Sequence, residues 1–214
     1  MKKYVAELIG TFSIIFFGHC SIAMSILQPT MIGNLGIALI NGLIVTLMIY
    51  SFARISGAHF NPAITVSFCM NGDMHIRKAS LYVIAQIFGG ILGSYFANRL
   101  FSGFELNMIT EPKTTLIQAF AAEFILTLIL MLVVYHNSIK GKEILSFAPI
   151  QIGIIIFIGV YLFGAISCAS FNPARSIGPA IVANHYANLW LYLLAPVAGA
   201  ATAKYVNMWY RRMH

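Results

Sequence analysis

Charge is scarce in this 214-residue chain: Asp, Glu, Lys and Arg make up 9% of it, with six acidic residues in all. Soluble domains carry about 25% charged residues, so a surface this poor in charge is suited to lipid. Cysteine is equally sparse. Cys20, Cys69 and Cys168 form no CxxC pair and lie in apolar surroundings, which makes them buried small hydrophobes and implies neither a disulfide nor a metal. No His/Asp/Glu cluster and no Ser–His pair occurs at a usable spacing, so neither an enzyme nor a bound cofactor is expected. The formal net charge is +7, but there is no basic stripe that would follow a nucleic acid. There is no Asn-x-Ser/Thr sequon, linker or low-complexity stretch, and residues 1–214 read as one domain.

Apolar residues dominate: 59% of the chain is hydrophobic and the mean hydropathy is +0.83. Six runs are long enough to span a bilayer, at 4–26, 35–54, 79–97, 115–136, 147–167 and 188–210. Crossing a core of ~30 Å takes about 20 helical residues. Lys2-Lys3 before an apolar run suggests a signal peptide, but the run is of bilayer length and no small-x-small cleavage site follows, so it reads as a retained first span. Two shorter runs, 61–70 and 172–182, reach only ~15 Å each as helices. They can enter the membrane and return but cannot cross it. Basic residues gather on one side of such a topology, at Lys2, Lys3, Arg54, Arg77, Lys78, Lys140, Lys142, Lys204, Arg211 and Arg212. By the positive-inside rule both termini are cytoplasmic. Trp190, Tyr186, Tyr205, Trp209 and Tyr210 fall near span ends, as in an interfacial aromatic belt.

The chain also repeats itself. Asn61-Pro62-Ala63 and Asn172-Pro173-Ala174 follow the second and fifth long runs, and Glu7 and Glu123 sit early in the first and fourth. Tyr82-x-x-Ala85 with Gly89 corresponds to Tyr192-x-x-Ala195 with Gly199. Three spans per half is an odd number, so the copies, about 1–98 and 115–214, have opposite orientations. The expected fold is an all-α membrane protein of six transmembrane helices plus two re-entrant half-helices in an inverted repeat. Glycines such as Gly89, Gly93, Gly153, Gly159, Gly164 and Gly199 are expected to mark close helix contacts.

Each signature Asn stands where a helix N-cap belongs and is followed by Pro at the first helical position, where a missing N–H costs nothing. Inversion brings one half-helix in from each side, so their N-termini meet near the midplane. Each end contributes roughly +0.5 charge, which repels cations and hydronium at the depth where desolvation costs most. The Asn amides offer N–H donors to a neutral molecule passing through. Half-helix dipoles of this kind are a known means of excluding protons and cations from a pore.

Over nearly its whole length the chain resembles the aquaporin, or major intrinsic protein, family: six spans, two half-helices, both tripeptides and Arg175 directly after the second. The resemblance implies a channel for water and small neutral solutes, assembled as a homotetramer with one pore per subunit; the absence of a sequon is compatible with the expected plasma (inner) membrane. Depth counting places Asn41 ~6 Å and Val160 ~5 Å from the midplane, near the level of Arg175. With Ala169 these four positions match the family's aromatic/arginine filter. Water-selective members resemble Phe, His, a small polar residue and Arg there; glycerol channels resemble Trp, Gly, Phe and Arg. Asn41 and Val160 depart from both patterns. Val160 with Ala169 is similar to the nodulin-like intrinsic proteins. A wide, partly polar opening is expected, passing glycerol, urea or neutral metalloid acids as well as water. Asn41 has an alternative use, an interhelical hydrogen bond that leaves its side of the pore apolar.

His59, two residues before the first signature Asn, is expected in the cytoplasmic vestibule, either hydrogen-bonded there or acting as a pH-sensitive gate. Glu7 and Glu123 are mid-helix carboxylates at equivalent places; lone carboxylates there are candidates for proton relays, but their symmetry favours each accepting from the backbone N–H groups of one re-entrant loop. The competing readings are a strictly water-selective channel, an ion-coupled secondary transporter and an intramembrane enzyme. Asn and positive dipole ends at the centre disfavour a cation-coupled mechanism.

Overall fold

The computed structural model describes residues 1–104, 108–138 and 147–213, without the side chains of 210–212. Lys140 and Lys142, and the side chains of Arg211 and Arg212, lie outside the described residues. Eight helices follow in order: α1 Lys2–Leu27, α2 Gly33–Ser56, α3 Pro62–Met70, α4 Ile76–Leu100, α5 Leu116–Asn137, α6 Ala148–Ser167, α7 Pro173–Val182 and α8 Leu189–Met213. All but α3 and α7 are long and apolar enough to cross a membrane. The long helices begin and end within three residues of the expected bounds, mostly by running on past the apolar stretch. Polar end residues such as Arg77 and Arg99 lie in the terminal turns, where a helix emerges into the headgroups.

The helices are amphipathic in the sense opposite to that of a water-soluble bundle. Leu39, Leu43 and Leu47 form an exposed stripe along α2, whereas Glu7, Gln86, Glu123 and Thr127 are completely buried. Leu at every fourth position faces lipid, and the polar groups turn inward, where protein can satisfy them.

The two halves use the same packing. α1 packs on α4 and α5 on α8; α2 meets α6 between the halves; α3 leans on α8 and α7 on α4. Each half-helix therefore rests against the last helix of the other half. Small residues allow the close approaches. A Cβ built on Gly42 would stand 2.7 Å from the Gly153 carbonyl oxygen, and one on Gly153 would stand 2.7 Å from that of Gly42. Gly89 faces the Leu8 carbonyl and Gly199 the Phe124 carbonyl, the same contact in each half. Gly164 departs from expectation: nothing lies within 4 Å of its missing Cβ. It borders a cavity, so its small size does not serve helix packing.

Candidate functional site

The half-helix starts are built alike. Asn61 (φ −150°) and Asn172 (φ −145°) are extended N-caps, with Pro62 and Pro173 next. Asn61 Oδ1 accepts from the Ala63 N–H at 2.9 Å and Asn172 Oδ1 accepts from the Ala174 N–H at 2.9 Å. Each amide nitrogen then reaches across: Asn61 Nδ2 donates to the Phe171 carbonyl at 2.8 Å, and Asn172 Nδ2 donates to the Phe60 carbonyl at 2.8 Å. One N–H of each amide is thereby committed, which leaves a single donor per Asn for a passing molecule.

The loops leading into these helices carry matched strain. Ala58 (φ 52°) and Phe60 (φ 50°) correspond to Ala169 (φ 45°) and Phe171 (φ 56°), all left-handed and none of them glycine. Such residues cost about 1–3 kcal/mol each and persist only where the surroundings hold them. Two carboxylates do the holding. Glu7 Oε1 accepts from Ser56 Oγ at 2.6 Å and the His59 N–H at 3.0 Å, and its Oε2 accepts from the Phe60 N–H at 2.7 Å and Gln86 Nε2 at 2.8 Å. Glu123 Oε1 accepts from Ser167 Oγ at 2.8 Å and the Ser170 N–H at 2.7 Å, and its Oε2 accepts from the Phe171 N–H at 2.8 Å. Each carboxylate accepts two loop N–H groups, in a place where unbonded N–H groups would be costly.

Two cavities adjoin, sharing lining residues. The inner one is lined by His59, Asn61, Asn172, Asn41, Ala169, Val160 and Arg175, among others. The outer one is lined by Val160 and Arg175 again, together with His19, Cys168 and Lys113. Val160 and Arg175 border both, so they form the partition between them. Arg175 is held in place by its own loop: Nη1 donates to the Cys168 carbonyl at 2.9 Å and to the Ala169 carbonyl at 2.6 Å. Its other guanidinium donors have no bond to the described protein among these contacts, in a fork that presents five N–H groups altogether. Asn41 lines the inner cavity and also bonds within the protein. Its amide donates to the Ile37 carbonyl at 2.8 Å and stands 3.5 Å from Ser21 Oγ on α1.

Residues 1–207 match the major intrinsic protein family. The chain is 40% identical to Nodulin-26 of Glycine max over 207 residues, covering 96% of this chain and 76% of that protein. It is 35% identical to Aquaporin NIP1-2 of Arabidopsis thaliana over 214 residues, covering 96% and 73%. Among solved structures, the aquaglyceroporin from Plasmodium falciparum superposes with a TM-score of 0.85 at 26% identity, covering 95% of this chain and 93% of that one.

The chain belongs to the major intrinsic protein family.

As a member it is a multi-pass membrane channel for water and small neutral solutes, of a family that is not enzymatic. Within this aquaporin fold, the His59 side chain is not free. Its Nδ1 lies 3.1 Å from Thr65 Oγ1, and its ring stacks on Phe68 with centroids 4.8 Å apart. Gln86 Nε2 bridges Thr65 Oγ1 at 2.9 Å and Glu7, joining His59, Thr65 and Glu7 in one network. Sequence reasoning passed over Gln86, Thr65 and His19. Gln86 and His19 were visible as polar residues inside apolar spans, which in lipid signals function or an internal partner. Thr65 carried no such signal.

Proposed function

We propose that this chain is a passive channel with a solute-permeable filter, conducting glycerol, urea or neutral metalloid acids alongside water and excluding protons and ions. The observation that carries the reading is the partition between the cavities. With Arg175 it includes Val160, with Ala169 and Asn41 on the inner side. No aromatic ring closes it among these four positions. Small apolar side chains leave width, while Arg175 and Asn41 supply polar contacts. In this reading Asn41, Val160, Ala169 and Arg175 are the filter. Asn61, Pro62, Ala63, Asn172, Pro173 and Ala174 are the central junction, His59 lines the cytoplasmic vestibule, and Glu7 and Glu123 brace the loops.

Ion exclusion follows from electrostatics. Two helix N-termini carry roughly +0.5 charge each at the junction, and the Arg175 guanidinium adds a full charge beside them. A cation would shed its water among positive groups. A neutral molecule exchanges one hydrogen-bond partner for another. The single free donor on each Asn orients a central water as an acceptor, which interrupts a proton wire. We place the protein in the plasma (inner) membrane with both termini cytoplasmic, as a homotetramer of two inverted repeats per chain, about 1–98 and 115–214.

Stopped-flow light scattering from proteoliposomes tests this. After a sucrose jump the vesicles shrink fast; after a glycerol jump they shrink and then re-swell faster than protein-free vesicles. Fast shrinkage without accelerated re-swelling gives the strictly water-selective alternative. Flux that depends on a pH or sodium gradient gives the coupled transporter.

A further inference from the structure

His19 is a polar residue of α1 for which the junction, the braces and the four filter positions have no use. Its side chain borders the outer cavity together with Arg175, Val160 and Cys168. It is 3% exposed, and its Nδ1 has no hydrogen-bond partner. Buried side-chain nitrogens are bonded in the large majority of cases; Nδ1 is closed off from the cavity as well as unpartnered, so the ring can meet a solute only through Nε2.

The ring is held there by its neighbours on α1. Ser21 Oγ donates to the Gly18 carbonyl at 2.6 Å and stands 3.5 Å from the Asn41 amide. A Cβ on Gly18 would come within 3.0 Å of Asn41 Oδ1. The turn 18–21 is therefore seated against α2 at the filter, and the imidazole between Gly18 and Ser21 is carried to the outer lip. The order along the path follows from the linings. His19 borders only the outer cavity, Arg175 and Val160 border both, and Asn41 and Ala169 border only the inner one.

The chemistry of Arg175 leaves half of a demand unmet. A guanidinium only donates, so a solute oxygen bound to it still carries hydroxyl hydrogens and further hydroxyls that need partners. Val160 and Ala169 have no polar side-chain atoms. An imidazole can donate or accept according to its tautomer. Water is small enough to find its remaining partners in neighbouring waters. A polyhydroxylated solute displaces those waters and has to find partners on the protein.

We propose that His19 is a specificity-determining residue at the outer lip, pairing with a second hydroxyl of a neutral polyol whose first oxygen is held by Arg175. This rests on the solute-permeable reading above.

The test uses the full-length protein in proteoliposomes, with glycerol as the probe and water flux measured in the same vesicles. His19→Leu keeps bulk and removes hydrogen bonding; His19→Gln keeps a donor and an acceptor. The expected result is a fall in glycerol permeability of about 2- to 10-fold in His19→Leu, the effect of one hydrogen bond. Water permeability changes less than about 2-fold, and His19→Gln recovers most of the glycerol flux. Should His19→Leu reconstitute poorly, His19→Met makes the same comparison. Equal losses of glycerol and water in the apolar variant, an unchanged ratio, or a Gln variant no better than Leu would overturn the proposal. Wild-type protein that passes water but no glycerol would overturn the wide-filter reading and this one with it. Wild-type glycerol flux combined with an insensitive His19 would overturn this one alone.

Discussion

Asn61 and Asn172 hold each other's loops: each side chain caps its own half-helix and donates to the carbonyl just ahead of the other's cap, at 2.8 Å in both directions. The two bonds connect positions 110 and 112 residues apart. They make the junction one unit, because neither half-helix start can move without breaking a bond to the other.

Coupling between these two residues is the first expectation. Asn61→Ala and Asn172→Ala each remove a cap and a cross-bond, costing about 1–3 kcal/mol of stability. Both disturb the same junction, so the double variant loses less than the sum of the singles. Thermal unfolding of the four proteins in detergent measures this, and strict additivity would show that the cross-bonds carry no shared energy.

The braces give a second expectation. In Glu123→Gln an NH₂ replaces one carboxylate oxygen, and a donor then opposes the N–H of Ser170 or Phe171. The cost is about 1–3 kcal/mol. The strained residues Ala169 and Phe171 lose their restraint, and water permeability falls along with the unfolding temperature. Glu7→Gln behaves alike, through the N–H groups of His59 and Phe60. A variant as stable and as permeable as the parent would remove the carboxylate from this role.

For the filter, Asn41→Phe combined with Val160→His returns two ring side chains to the partition. Glycerol re-swelling is curtailed while sucrose-driven shrinkage persists. Glycerol permeability equal to that of the parent would take both residues out of the constriction.

Glycine supplies a paired control. Gly42→Ala pushes a methyl against the Gly153 backbone and costs about 1–3 kcal/mol. Gly164→Ala meets nothing within 4 Å and stays within about 0.5 kcal/mol of the parent. Unfolding temperatures compare the two directly. A larger loss at Gly164 would contradict the packing described here.

Some of this was readable residue by residue. The bounds of α3 and α7 follow from Asn-Pro, because an N-cap and the fixed φ of the next residue are local chemistry. The matched placement of Glu7 and Glu123 is explained by the loops, which lack partners for their N–H groups wherever water is excluded. Other features were not readable. Asn41 had to be left with two uses, because the choice depends on how α1 lies against α2, and its amide bonds to Ile37 and Ser21 while the residue borders the inner cavity. Gly164 carried the same small-residue signal as Gly89 but faces a cavity, because a glycine's use depends on what stands opposite it. His59 stood out by its place two residues before Asn61; its tie to Thr65 and Phe68 was not legible.

What the amino-acid order determined alone is the set of elements. Long apolar runs must cross, short ones must return, and an odd number of spans per half inverts the repeat, all because hydrocarbon accepts no unsatisfied backbone. Which atoms meet was decided by the tertiary structure: the exchange of bonds between Asn61 and Asn172, the partition shared by Val160 and Arg175, and the unpaired nitrogen of His19 beside it. Those contacts join residues distant in the chain, and a hydrogen bond that fails when moved by an ångström can be set only by how the helices pack.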